Sequence, residues 1–169
     1  MKRTPAALIS FGGMMAAVAM VIMNLVGLIP VATYVCPMLC MMILALVVRF
    51  CGRRIGWAWY GAVAILSILL APDKEAAAIF VFLGYYPILK PDFDKLKSGR
   101  LLKLLFFNVA ILLMYWLLIN SLGLAQIAKE YAELGFLMTV LTLLTGNVIF
   151  IMLDKILGRL AVITKLGRK

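Results

Sequence analysis

Long apolar runs separated by short polar breaks organise this chain from end to end. The runs fall at about residues 6–29, 33–50, 55–71, 75–90, 101–122 and 134–158. Between them lie Pro30, "CGRR" at 51–54, "APDKE" at 71–75, "KPDFDKLKSGR" at 90–100 and "GLAQIAKEYAE" at 123–133. None of the runs alternates apolar and polar positions with period two, so strands are not expected. A helix crossing a bilayer needs roughly 20 apolar residues, fewer where it is short, and must bond its backbone internally. The pattern predicts an all-α fold, an integral membrane bundle of six transmembrane helices forming a single domain over residues 1–169. The first run follows "MKRTP" and continues past the roughly 7–15 apolar residues of a signal-peptide core, which predicts a retained span.

Composition strengthens that picture. Hydrophobic residues make up 66% of the chain and charged ones 14%, against about 25% charged in a typical soluble domain. The net charge of +10 could point to nucleic acid, but the charges cluster in the breaks between spans. With the N-terminus in the cytoplasm, 15 of the 17 basic residues lie on the inner side, leaving Lys74 and Lys129 outside. That asymmetry predicts six spans with both N- and C-termini cytoplasmic. The lipid bilayer is then the first partner, and nucleic acid is not expected. Trp57, Trp59 and Tyr60 open the third span, and Tyr85 and Tyr86 close the fourth, where amphipathic rings suit the inner interface.

Recognisable catalytic groups are sparse. The chain has no histidine, which excludes a zinc H-E-x-x-H site and a Ser-His pair. It has no G-x-S-x-G and no Walker loop. Asp92 and Asp94 sit two apart in a basic break and read as local charge balance. Cys36, Cys40 and Cys51 lie in or beside oily segments without partner ligands, and read as small packing residues. Enzyme activity, a metal site and a cofactor are therefore not expected.

The polar residues inside the spans are mild. Asn24, Asn108, Asn120 and Asn147 either bond neighbouring helices or reach a ligand. Depth matching groups Asn24 and Asn120 with Tyr34, Tyr115, Trp116, Thr139 and Thr142 as candidates to line an outward-facing pocket. Glu75 is a candidate at its mouth, while Asp73 suits the N-cap of span four. In "FLGYYPILKP", Pro87 predicts a bend near residues 83–87. Tyr85 and Tyr86 should reach headgroups or "WAWY", and Lys90-Pro91 should end the helix. In "SFGGMMAAVAM", Gly12 with Ala16 and Gly13 with Ala17 place small residues four apart, which suits close helix docking, inside the bundle or against a partner.

The six-span size and topology, with "GGMMAAVAM" in span one, resemble the substrate-binding S components of energy-coupling factor (ECF) transporters. The run "NLVGLIPVATYVCPML" is similar to the exit of the first helix and entry of the second in that group. The resemblance implies a solute bound from outside and no catalysis by this chain. It further implies that Gly12, Gly13, Ala16 and Ala17 dock a transmembrane T component, with partner ATPases supplying energy. MreD-like morphogenesis adaptors share the size and topology, and a small lipid-handling or oligomeric transporter is a third reading.

Overall fold

The computed structural model describes residues 4–28, 32–96, 99–121, 140 and 143–160, and among these residues helices are joined by short turns without a strand. The chain divides into two compact units, Met1–Asp94 and Lys95–Lys169.

In the first unit, α1 (Pro5–Leu25) runs into a single 3-10 turn at Val26–Leu28. Pro5 begins α1 at a position where a missing N–H costs nothing. Helices α2 (Ala32–Cys51) and α3 (Arg53–Leu70) follow, joined by Gly52 alone. Gly52 has φ +92°, a conformation open to glycine and strained for other residues. A Cβ at Gly56 would lie 2.5 Å from Val48 Cγ2, so this glycine lets the two helices close together beyond the reversal.

The expected fourth span is two helices, α4 (Lys74–Leu83) and α5 (Tyr86–Phe93). The break falls at Gly84-Tyr85, inside the segment where Pro87 predicts a bend, and Pro87 occupies the first turn of α5. At 1.5 Å per residue, α4 and α5 measure about 15 and 12 Å, so neither alone crosses a hydrocarbon core of about 30 Å. Lys90-Pro91 does not end the segment. Pro91 lies inside α5, which continues to Phe93. The helix runs two residues past Pro91, which forgoes its own N–H bond and crowds the carbonyl of Pro87.

Helices α1 to α4 run alternately up and down. At one end the turn after α1 packs on the α3–α4 link, where a Cβ on Gly27 would sit 3.1 Å from Pro72 Cγ. At the other end Phe11 meets Phe50 edge-on at 5.8 Å, and Cys51 Sγ donates to Leu8 O. Charged residues gather at these ends: Asp73, Lys74 and Glu75 at the first, Arg49, Arg53, Arg54 and Lys90 at the second. Between them Met23, Met41, Leu44, Val47, Val63 and Phe80 form a fully buried core.

In the second unit, α6 (Gly99–Ser121) packs against α7, helical over residues 143–160. Lys103 meets Asp154, Phe107 stacks on Phe150 at 4.7 Å, and Asn108 bonds Asn147. Partner numbers fall on one helix as they rise on the other, so the pair is antiparallel.

Among the described residues, three helical stretches are long and apolar enough to cross a membrane: Ala6–Leu25, Ala32–Cys51 and Leu101–Leu118. Helix α3 opens instead on two arginines and three aromatic rings within eight residues. Large apolar side chains also cover the outside of the helices, among them Ile9, Val21, Ile65, Leu69, Leu101, Leu105, Trp116 and Val148. Water would penalise that much exposed hydrocarbon, and lipid would not.

Candidate functional site

The acidic end of the first unit gathers polar side chains from α2 and α4 beside the C-terminal carbonyls of α3. Asp73 is the N-cap of α4, its Oδ1 accepting from the backbone N–H groups of Glu75 at 2.8 Å and Ala76 at 3.3 Å. Its Oδ2 accepts from Thr33 Oγ1 on α2 at 2.8 Å. One carboxylate thus closes the open N–H groups of α4 and ties that terminus to the first turn of α2. A capping side chain of this type contributes about 1 kcal/mol. Beside it, Tyr34 OH donates to Glu75 Oε1 at 3.2 Å. The Lys74 ammonium donates to the carbonyls of Ile68 and Ala71 at 2.9 and 3.0 Å, closing the C-terminal turn of α3.

The candidate residues separate under this geometry. Tyr34 and Glu75 come together. Asn24 is exposed, and its Nδ2 donates to Met20 O at 2.8 Å within its own helix. In the second unit Tyr115 is buried at 7% exposure while its neighbour Trp116 is 62% exposed, so the two side chains meet different surroundings. Asn120 lies in the last turn of α6, with its side chain outside the described residues, as are Thr139 and Thr142. Thr33 was absent from the candidates. The signal that could have found it is a hydroxyl in the first turn of one helix facing the N-cap acid of another.

The small-residue face of α1 divides. Gly12 is buried against α3, where a Cβ would meet Ile55 Cγ2 at 3.7 Å and its carbonyl accepts from Trp59 Nε1 at 3.1 Å. Gly13 and Ala17 are exposed, and a Cβ on Gly13 would meet nothing within 4 Å among the described residues. Ala16 is half-buried between them.

At the arginine end, aromatic rings converge. Tyr85 stacks on Trp57 at 6.2 Å and meets Tyr60 edge-on at 5.7 Å, while Tyr60 OH donates to Val81 O. This is the contact with "WAWY" expected for Tyr85. Tyr86 differs, being fully buried and stacked on Phe93 at 6.4 Å. The turn at Gly84-Tyr85 sends the two adjacent rings in different directions. Lys90 pairs with Asp94 at 3.7 Å within the 90–100 break, whereas Asp92 pairs with Arg53 of α3 at 2.6 Å, a tie between helices and not a balance internal to the break.

Along α6 and α7, Asn147 Nδ2 donates to Asn108 Oδ1 at 2.8 Å, and Asn108 Nδ2 donates back at 3.3 Å. Each amide also donates to the carbonyl four residues earlier, Leu104 and Leu143. This is the interhelical bonding considered for intramembrane asparagines. Lys103 Nζ lies 3.3 Å from both carboxylate oxygens of Asp154, with Lys103 only 7% exposed. That pair is missing from the sequence-based candidates, because matching residues 103 and 154 requires the antiparallel register. Among the described residues, no group of three or more Cys, Asp or Glu side chains is arranged to hold a metal ion. No protein-family model, characterised protein or solved structure matches this chain.

Proposed function

We propose that this chain is a non-catalytic, multi-pass subunit of a bacterial cytoplasmic membrane, with six spans and both termini inside, that binds a small solute at its acidic end. In this reading it acts like the S component of an ECF importer. The observation that carries the proposal is the Tyr34–Glu75 pair, a phenol and a carboxylate from different helices on a rim already braced by Asp73 and Thr33. A solute bearing an amine or hydroxyl could exchange for that hydrogen bond without dismantling the α4 cap. The exposed Gly13–Ala17 side of α1 is the face offered to a T component, whose ATPases would drive import.

A second reading, the MreD-like adaptor, is favoured by a different feature of the same end. Asp73 and Lys74 both act in tying helix termini together, as a purely structural protein would require.

Thermal stability of the purified protein against a panel of small polar solutes tests the choice. A stabilising solute whose effect is lost in Glu75→Gln and Tyr34→Phe supports solute binding. Absence of any such solute, with no T component or ATPase co-purifying, supports the adaptor. Orientation has its own test: a reporter fused after Lys97 should behave as cytoplasmic and one fused after Gly123 as external, and the reverse would remove the topology.

A further inference from the structure

In the Lys95–Lys169 unit, α6 and α7 enclose a cleft of about 510 Å³ at the end that carries Lys103 and Asp154. Leu104, Phe150 and Ile151 form its apolar wall, and Lys103, Asp154 and Lys155 its polar edge. Lys103 is buried against both oxygens of Asp154, so its charge is balanced within the protein. Lys155, the next residue on α7, is exposed and adds a second ammonium to the same edge. Two lysines against one carboxylate leave the edge net positive. The flanking surface is hydrocarbon, with Leu101, Leu105, Ile151 and Met152 all exposed.

We infer that this cleft binds an anionic phospholipid of the inner leaflet. Its phosphate sits at the lysine edge, and an acyl chain lies along Leu104, Phe150 and Ile151. The charge balance selects an anionic headgroup over a zwitterionic one, because a positive edge gains from the phosphate and repels a headgroup amine. The apolar wall selects a lipid over a soluble anion, because a free phosphate leaves the hydrocarbon surface uncovered. Basic pockets between helices on the cytoplasmic side of a membrane hold lipid headgroups in this way. Lys103 and Lys155 both belong to the basic set that the charge asymmetry assigns to that side. Asp154 has an opposing role: it balances Lys103 and repels the phosphate, so it limits how tightly the lipid is held. The leaflet rests on the proposed orientation, while the site itself is independent of any solute at the acidic end of the other unit.

Native mass spectrometry of the detergent-purified full chain, with phosphatidylglycerol or phosphatidylcholine of identical acyl chains, tests it. Phosphatidylglycerol should be retained preferentially. Lys155→Gln should lower its retention about fivefold, the effect of one basic residue near a membrane surface. Asp154→Asn should raise it. Arg159→Gln removes the same charge from an exposed position outside the cleft lining, and should leave the preference unchanged. Equal retention of the two lipids would overturn the site, as would an Arg159→Gln loss matching that of Lys155→Gln. Displacement of phosphatidylglycerol by millimolar inorganic phosphate would show a soluble-anion site and overturn the lipid assignment. Lys155 is exposed, so its variant carries the test even if Asp154→Asn fails to fold.

Discussion

In the first unit, Trp59, Cys40 and Tyr60 each tie one helix to another by donating to a backbone carbonyl. In the second, α6 and α7 are joined side chain to side chain, through Lys103–Asp154 and Asn108–Asn147. Within lipid, burying apolar surface between helices gains little, so close backbone packing and polar contacts must hold helices together. Inside the first unit Gly56 lets α2 and α3 approach closely, and the side-chain pairs Thr33–Asp73, Tyr34–Glu75 and Arg53–Asp92 are confined to its ends. The second relies on matched polar pairs. A carbonyl is present at every residue, so a bond to backbone constrains one side-chain identity. A side-chain pair constrains two, and thereby sets the register of the hairpin.

That contrast is broken most severely at Lys103. Lys103→Met removes from Asp154 the ammonium that lies 3.3 Å from both its oxygens, and with the Asp154 side chain 27% exposed it should cost about 2–3 kcal/mol. Unfolding in mixed micelles measures it, and a loss below 1 kcal/mol would mean the pair is solvated. Next comes close packing: Gly56→Leu should destabilise by about 1–3 kcal/mol through overpacking against Val48, whereas Gly61→Leu, with open space around it, should be nearly neutral. Equal effects at the two glycines would contradict close approach as the organising device. Asp73→Ala should cost about 1–2 kcal/mol, since both the α4 cap and the Thr33 contact disappear; Asp73→Asn, which can still cap, should recover most of it.

Smaller effects sharpen the comparison. Asn108→Ala should cost about 1 kcal/mol, and the Asn108/Asn147 double-mutant cycle should show a coupling of about 0.6 kcal/mol. No coupling would leave each amide satisfied by its own helix alone. Arg53→Gln should change stability by less than about 1 kcal/mol, because the Arg53–Asp92 pair is about half exposed. A larger loss would place that end away from solvent.

Much of this was legible in the chain. The apolar runs place α1, α2, α3 and α6 to within a few residues, because a bilayer-length helix needs continuous apolar sequence and little else. The Asp73 cap was readable from "PDKE", since capping acts over three residues of one segment. The bend at Gly84-Tyr85 was readable from Pro87, whose effect reaches only to the preceding turn. Tyr86 departs from the expectation because the two-residue turn at Gly84-Tyr85 decides which of two adjacent rings enters the core, and composition is blind to that direction. The continuation of α5 through Pro91 departs from the expectation as well, since a proline near a helix end weakens the last turn without forcing a stop.

By itself, then, the sequence determined what is local or additive: helical character, the apolar stretches, the gathering of charge toward helix ends, and the Asp73 cap. Tertiary structure alone decided which distant residues meet. Thr33 and Asp73 are 40 residues apart, and Lys103 and Asp154 are 51 apart. Their pairing depends on the relative rotation and register of two helices. In these helices nearly every face is apolar, so no amphipathic stripe announces that rotation in advance. The same limit divided the α1 face: Gly12 and Gly13 are adjacent and chemically identical, yet 100° of helical turn buries one against α3 and leaves the other exposed.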